Sequence, residues 1–234
     1  MIRRLLLWDV DGTLVRAGDL GAAVFELALE AVLGVGPENR VRMSGKTDPQ
    51  IVREYLEAMA VEETEQRVDA ILRGIETELA AAAAAGELVA GGSALPGVVA
   101  VLGTLAGDSR VLSTLLTGNV AANAELKVAA FGLDQWLDLE VGAYGSDEAD
   151  RNLLVPIAVA RVAAARGVRL DPEDVWVIGD TPRDLECARV SGSRCLLVAT
   201  GRYSSAELAL LGADAVLDDL SDVDTVVSLL TGDL

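Results

Sequence analysis

Two aspartates and a glycine follow the first apolar run of the chain, at Asp9, Asp11 and Gly12 in the segment LLLWDVDGT. Residues 5–8 have the continuous apolar character of a strand buried on both faces of a parallel sheet, and we expect this strand to end near Val10. Side chains alternate across a strand, so both carboxylates would point the same way, and the glycine would permit a tight turn. Such a pair at a strand's carboxyl end can serve catalysis or metal binding, although an ordinary polar turn has the same composition.

Two later segments repeat this arrangement. In STLLTGN, Thr117 closes an apolar strand, and Gly118 and Asn119 precede a helix, where a hydroxyl and backbone N–H groups can cradle a phosphate. In DVWVIGDTPRD, Asp180 follows an apolar strand and Asp184 lies in the first turn of the next helix. Stabilisation of the helix dipole is an equally good explanation for the second of these aspartates taken alone.

These strand ends would bring Asp9, Asp11, Asp180 and Asp184 together if the strands are neighbours. Crowded carboxylates raise one another's pKa, and a divalent cation relieves their repulsion. Mg²⁺ is the favoured ion because it accepts a few carboxylates, keeps water ligands and shares phosphate oxygens, whereas Ca²⁺ usually requires more protein ligands. The sequence therefore predicts a magnesium site.

Composition excludes several classes of function. Histidine is absent from the 234 residues, which rules out a histidine base, a Ser-His-Asp triad and a histidine-ligated zinc site. The formal net charge of −18 argues against binding to nucleic acid or to an anionic membrane. No apolar segment is long enough for a membrane helix or a signal-peptide core, so we expect a cytoplasmic protein with Cys187 and Cys195 reduced.

The elements that must position these residues form two groups. From Pro96 onward, helices and strands alternate, which predicts an α/β fold with a Rossmann-like parallel sheet and helices on both faces. A second group lies between the first strand and this alternating region. It has helical periodicity and an alanine-rich stretch, and it ends in the Gly-, Ser- and Pro-rich segment AGGSALPGV. We therefore predict a core formed by residues 1–16 and 91–234 and an inserted α-helical cap domain formed by residues 17–90.

In the types and order of its motifs, the chain resembles the haloacid dehalogenase-like hydrolase superfamily, and within it the phosphatase branch with a helical cap. The segment DVDGT at residues 9–13 resembles the first motif of that family, LLTGN the second and VIGDTPRD the fourth. Three motifs in the right order, each after a strand, are far more specific than one. The resemblance is to phosphoglycolate phosphatases in particular, and it extends over nearly the whole chain.

The resemblance implies a role for each residue. Asp9 would attack phosphorus and form an aspartyl-phosphate, and Asp11 would protonate the leaving alcohol and then activate water. Mg²⁺ would be bound by Asp9, the backbone carbonyl of Asp11 and Asp180, with Asp184 supporting the site, while Thr117, Gly118 and Asn119 would hold phosphate oxygens. Because the dehalogenases lack the second acid, Asp11 favours phosphoryl transfer over dehalogenation.

The third motif of the family fits less closely. The family usually has a lysine there, often followed by proline, which neutralises charge on the transferred group. Arg151, at the start of a predicted helix, is our choice for this phosphate-binding cation, and Lys127 is the alternative. A solvated helix charge is the ordinary role of either residue.

The resulting prediction is an Mg²⁺-dependent phosphatase that acts on a small phosphorylated metabolite. A sugar-phosphate mutase on the same scaffold is one alternative, and a non-catalytic phospho-accepting regulatory domain, similar to a response regulator, is another. The cap loop SGKTD resembles the family's segment that reaches the site. Lys46 in this loop is a candidate specificity residue that would contact an anionic substrate tail.

Overall fold

The core of the protein is a parallel β-sheet. The computed structural model describes residues 2–232. Their strands are β1 (Arg4–Trp8), β2 (Val15–Arg16), β3 (Ser93–Ala94), β4 (Val111–Thr117), β5 (Ala143–Tyr144), β6 (Val175–Gly179), β7 (Arg194–Val198) and β8 (Ala215–Leu217). Six of these described strands form the sheet, all parallel and in the order β5-β4-β1-β6-β7-β8, and β2 pairs with β3 in a separate antiparallel ribbon. The predicted Rossmann-like α/β fold is confirmed.

Helices cover both faces of the sheet and form a further layer above its carboxyl edge. The first four are α1 (Leu20–Leu33), α2 (Asp48–Ala58), α3 (Glu65–Ala84) and α4 (Glu87–Gly91). They are followed by α5 (Val98–Leu105), α6 (Ala121–Ala130), α7 (Leu154–Arg166), α8 (Pro182–Ser191), α9 (Ser205–Ala209) and α10 (Val223–Thr231). None of the helices within residues 2–232 combines the length and the apolar character needed to cross a membrane.

The central strand β1 explains why its sequence is apolar at every position. Leu6 and Trp8 belong to one hydrophobic cluster with residues of α5, α6 and α10. Leu5 and Leu7 belong to a second cluster with residues of α7, α8 and α9. Because successive side chains of a strand point to opposite faces, a strand covered by helices on both faces needs apolar residues at odd and even positions alike.

Helices α1 to α3 have a hydrophobic cluster of their own, formed by Val24, Phe25, Ala28, Leu29, Ile51, Val52, Tyr55, Leu56, Val68, Ile71, Ile75 and Leu79. This cluster is separate from the two clusters that cover the sheet. The chain leaves the core after β2 and returns through β3, so the two connections lie side by side. We propose that residues 17–90 form the cap domain on this basis.

Two local features differ from the sequence-based expectation. Strand β1 ends at Trp8 instead of near Val10, because the carbonyl of Val10 accepts the N–H groups of Leu14 and Val15, both at 2.9 Å, and closes a turn. The predicted helix at residue 151 begins with a 3₁₀ turn, Arg151–Leu153, before α7. The two-residue strand β5 is too short to produce a sequence pattern.

Both cysteines are buried and free, in agreement with the predicted reduced thiols. Burial raises the pKa of Cys187 to about 12, so its thiol stays protonated at neutral pH. The Cys187 thiol donates a hydrogen bond to the backbone carbonyl of Arg151 at 3.1 Å. This contact fixes the turn that carries the arginine.

Candidate active site

The turn after β1 places two carboxylates differently. The backbone N–H of Asp9 donates to the carbonyl of Ile178 at 2.9 Å, which fixes this residue against β6, and its side chain is buried. The side chain of Asp11 is 44% exposed and faces the cap. Gly12 has φ +89°, and a Cβ there would lie 2.7 Å from Oδ2 of Asp180, so both conformation and space require glycine.

Residues from β4 and α6 approach Asp11 from one side. The amide Nδ2 of Asn119 donates to Asp11 Oδ2 at 2.8 Å and to the Thr117 hydroxyl at 2.8 Å. The ammonium of Lys127 is buried and donates to Asp11 Oδ2 at 2.6 Å and to Asn119 Oδ1 at 2.7 Å. Lys127 therefore contacts the second acid and the amide of the second motif.

Arg151 approaches from the other side and contacts the first acid. Its Nη2 lies 3.1 Å from Asp9 Oδ1 and 2.5 Å from Asp184 Oδ1, and all three side chains are buried. Burial disfavours the charged guanidinium, but the carboxylates of Asp184 and Asp9 raise the pKa of Arg151 overall, so it remains a cation. The structure thus brings both candidate cations to the site, each beside a different aspartate.

Three carboxylates could hold a metal ion. Ligand atoms of Asp9, Asp180 and Asp184 lie within 4.8 Å of one another, and all three residues are buried. Within residues 2–232, Asp180 Oδ1 is buried and has no hydrogen-bond partner. Burial and the charges of the other two aspartates raise the pKa of Asp180 to about 8, and burial raises that of Asp9 to about 6.

This arrangement fits a divalent cation that prefers hard oxygen ligands, the class to which the predicted Mg²⁺ belongs. Hard oxygen ligands, an orphaned carboxylate oxygen and two acids that are difficult to ionise without a cation are the properties such an ion satisfies. Asp184 already accepts hydrogen bonds from Arg151 at Oδ1 and from the Thr181 N–H and hydroxyl at Oδ2. It is therefore better placed to orient the site than to provide a free oxygen. The Asp11 side chain lies outside this group, consistent with a ligand role for its backbone carbonyl alone.

The cap closes the site from above. A cavity of about 280 Å³ lies between cap and core and is lined by the core residues Asp9, Asp11, Thr117, Gly118, Asn119, Lys127 and Arg151. The cap contributes Gly18, Gly21, Ala22, Phe25, Met43, Ser44, Gly45, Lys46, Asp48 and Ile51. The sequence-predicted site residues Lys46, Thr117, Gly118, Asn119 and Arg151 therefore share one cavity with the two catalytic candidates.

The loop before α2 is bound directly to the core. The Asp48 N–H donates to the carbonyl of Gly118 at 2.7 Å, and its carboxylate accepts the N–H of Val120 at 2.8 Å. The hydroxyl of Thr47 donates to the carbonyl of Ala149 at 2.8 Å. A Cβ on Gly118 would lie 2.0 Å from the carbonyl oxygen of Lys46, so glycine is needed for this approach. We call these contacts the cap latch.

Sequence reasoning missed the importance of Asp48, which is buried between cap and core. Thr47, Asp48 and Pro49 have the pattern of a helix start, and the Thr47 side chain does accept the Gln50 N–H as a helix cap. This pattern explains the position of α2, but it contains no information about a partner in the loop before α6. The pairing of Lys46 with Glu54, which forms a salt bridge, was also not predicted.

Comparison with known proteins agrees with this geometry. Residues 6–189 match the haloacid dehalogenase-like hydrolase family. The chain is 26% identical to the "Probable phosphatase IndB" of Dickeya dadantii, over 95% of this chain and 92% of that protein. It is 26% identical to the phosphoglycolate phosphatase of Rhodospirillum rubrum, over 94% of this chain and 89% of that protein.

A solved structure has the same fold. The crystal structure of a hydrolase from Pseudomonas syringae superposes with a TM-score of 0.72 at 20% identity, covering 97% of this chain and 99% of that one. The family match includes all four aspartates of the site, from Asp9 to Asp184. The family match, together with the two phosphatase relatives, confirms the predicted enzyme class, a phosphoric monoester hydrolase. The chain belongs to the haloacid dehalogenase-like hydrolase family.

Proposed function

We propose that the protein is an Mg²⁺-dependent phosphatase that hydrolyses a small phosphorylated metabolite through an aspartyl-phosphate on Asp9. The observation that carries this proposal is the convergence of a buried Asp9, a more exposed Asp11 and two cations on one cavity under the cap. The carboxylate of Asp9 attacks phosphorus, and the bond from phosphorus to the ester oxygen breaks. Asp11 gives its proton to the leaving oxygen, which departs as an alcohol.

Hydrolysis of the intermediate uses the same two acids in reversed roles. Asp11 takes a proton from water, the water oxygen bonds to phosphorus, and the bond from phosphorus to Asp9 breaks, which releases phosphate and restores both acids. Thr117, Asn119 and the backbone of Gly118 hold the phosphoryl oxygens. Arg151, which lies beside Asp9, fills the cation role of the third motif, and Lys127 positions Asp11 and Asn119.

The metal ligands of this proposal are Asp9, Asp180 and the backbone carbonyl of Asp11, and Asp184 supports the metal site. Bound Mg²⁺ would shield the anionic nucleophile from the anionic phosphate ester. The cap covers the cavity and limits its contact with bulk solvent, which strengthens the electrostatic contacts of the buried groups there. The cytoplasmic location and the absence of nucleic-acid and membrane partners stay predictions from the sequence.

The first test is phosphate release from p-nitrophenyl phosphate with Mg²⁺, with a chelator and with Asp9→Asn. We expect turnover to vanish with the chelator and to fall by at least about 10³-fold in the variant, because the nucleophile is lost. Asp224→Asn is the matched control, since Asp224 is exposed on α10 and does not line the cavity. Full activity of Asp9→Asn would reject the proposal.

The alternatives give different results in the same assay. A mutase would release little phosphate and would isomerise a sugar phosphate. A regulatory domain would accumulate a stable aspartyl-phosphate without turnover. The cap over Asp9 favours an enzyme, because a lid that encloses a small substrate has no role in a phospho-accepting domain.

A further inference from the structure

The cavity has two chemically distinct halves. Its floor, on the core, contains the charged groups that the proposed phosphatase uses. Its roof, on the cap, contains the apolar side chains of Ala22, Phe25, Met43 and Ile51, together with glycines and the polar residues Ser44, Lys46 and Asp48. Since Asp11 would protonate the leaving oxygen, the remainder of the substrate must extend from that oxygen toward this roof.

The cationic residue of the roof is already neutralised. The ammonium of Lys46 forms a salt bridge with the carboxylate of Glu54, which lies on α2 in the same cap. The Lys46 side chain is 11% exposed and that of Glu54 is 33% exposed, so the pair is partly shielded from water. A half-buried ion pair leaves little net charge for a third group, and a carboxylate placed beside it would face the like charge of Glu54.

We propose that the substrate is a small phosphate monoester whose leaving group is uncharged and partly apolar, and that the Lys46–Glu54 pair selects against a carboxylate tail. This inference rests on the proposed phosphatase activity and assigns the substrate class of the same site. It changes the sequence-based expectation that Lys46 contacts an anionic tail. A cavity of about 280 Å³ further limits the ester to a compact one.

The test compares two esters of nearly the same shape. The leaving group of isobutyl phosphate ends in two methyl groups, whereas that of 2-phosphoglycolate ends in the two oxygens of a carboxylate. We expect the wild-type enzyme to have a kcat/KM at least tenfold higher for isobutyl phosphate. Because the two alcohols differ in intrinsic reactivity, the decisive readout is the change of this ratio in a variant.

Glu54→Gln is that variant, since it keeps the side-chain shape and frees the charge of Lys46. We expect it to shift the ratio of kcat/KM values toward phosphoglycolate by about tenfold or more. Glu57→Gln is the control, because Glu57 is exposed on the same helix α2 and does not line the cavity. Unchanged melting temperatures would show that both variants are folded.

Two results would overturn the inference while leaving the phosphatase proposal intact. One is a wild-type preference for phosphoglycolate, and the other is a ratio in Glu54→Gln equal to that in Glu57→Gln, each with p-nitrophenyl phosphate still hydrolysed. Failure of the wild-type enzyme to hydrolyse any of the three esters would reject the phosphatase proposal itself and this inference with it.

Discussion

At the scale of single residues, the site has two cations, and each contacts a different aspartate. Arg151 lies 3.1 Å from the proposed nucleophile Asp9, whereas Lys127 lies 2.6 Å from the proposed acid Asp11. Each is buried, so each can act on its aspartate through a short contact that is little screened by solvent. Their loss should therefore affect different parts of the reaction.

We expect Lys127→Met to lower kcat/KM more for an alkyl phosphate than for p-nitrophenyl phosphate. An alkoxide needs the proton that a well-positioned Asp11 provides, whereas p-nitrophenolate leaves without it. Arg151→Met should lower kcat/KM for both esters by a similar factor, on the order of 10²-fold or more, because the arginine is proposed to neutralise charge on the phosphoryl group. Recovery of alkyl-ester activity in Lys127→Arg would support a positioning role for the charge, and equal effects of Lys127→Met on both esters would exclude it.

The buried carboxylate of the cap latch gives a pH-dependent prediction. Burial is the main reason why the pKa of Asp48 is raised from 3.8 to about 7, and the charges of Asp11 and Glu76 add to the rise. The charge of Lys127 and the hydrogen bond from the Val120 N–H lower this pKa, but by less. The folded protein thus binds this proton more tightly than the unfolded chain. The free energy of unfolding should therefore lose a contribution from Asp48 as the pH rises from about 4 to about 7.

Asp48→Asn should remove this loss, since the amide stays neutral and its oxygen can still accept the Val120 N–H. We expect the melting temperature of the variant relative to wild type to rise between about pH 4.5 and about pH 7.5, by several degrees at most. Calorimetry at a series of pH values measures this difference, with Asp224→Asn as the control. Parallel curves for wild type and Asp48→Asn would show that the carboxylate is not destabilised by burial.

At the scale of elements, the cap latch links α2 to the loop between β4 and α6. Gly118 allows this contact, since a Cβ there would lie 2.0 Å from the Lys46 carbonyl oxygen. The clash involves backbone atoms of the cap, which can move away as a unit. Closure of the cap should therefore suffer more than the stability of the core.

We expect Gly118→Ala to lower kcat/KM by about 10- to 100-fold, because the cavity would no longer close around the substrate. Its melting temperature should change by only a few degrees. Gly103→Ala is the matched control, since a Cβ there would have only ordinary contacts, the nearest at 3.6 Å from Trp136. Wild-type activity in Gly118→Ala would mean that the closed cap is not needed for turnover.

The sequence predicts most of these elements because their patterns are local. The continuous apolar run of β1 and the polar residues at the ends of β1, β4 and β6 are visible in the sequence alone. The partner of Asp48 is not, because a hydrogen bond to Val120 depends on how the cap is oriented on the core. The same holds for Lys46, whose neutralisation by Glu54 arises only when the loop folds back on α2.

At the scale of the whole molecule, the net charge of −18 opposes the approach of an anionic substrate. The repulsion extends over a screening length of about 30 Å at 0.01 M salt and about 8 Å at 0.15 M. We expect kcat/KM for p-nitrophenyl phosphate to rise with ionic strength over this range at constant Mg²⁺, when an inert salt such as a tetramethylammonium salt is used. A fall would show that the cations of the cavity attract substrate at long range.

The antiparallel pairing of β2 with β3 has a consequence for how the chain folds. Strands β1 and β4 are neighbours in the sheet although roughly a hundred residues, most of them in the cap, separate them in the chain. Closing a flexible loop of that length costs conformational entropy. The ribbon brings both ends of the insertion together, so a cap that folds first on its own hydrophobic cluster shortens the effective loop to a hairpin. The same ribbon should allow the cap to be replaced by another domain. A domain whose two ends lie one strand spacing apart could be inserted between β2 and β3 without changing the register of the main sheet.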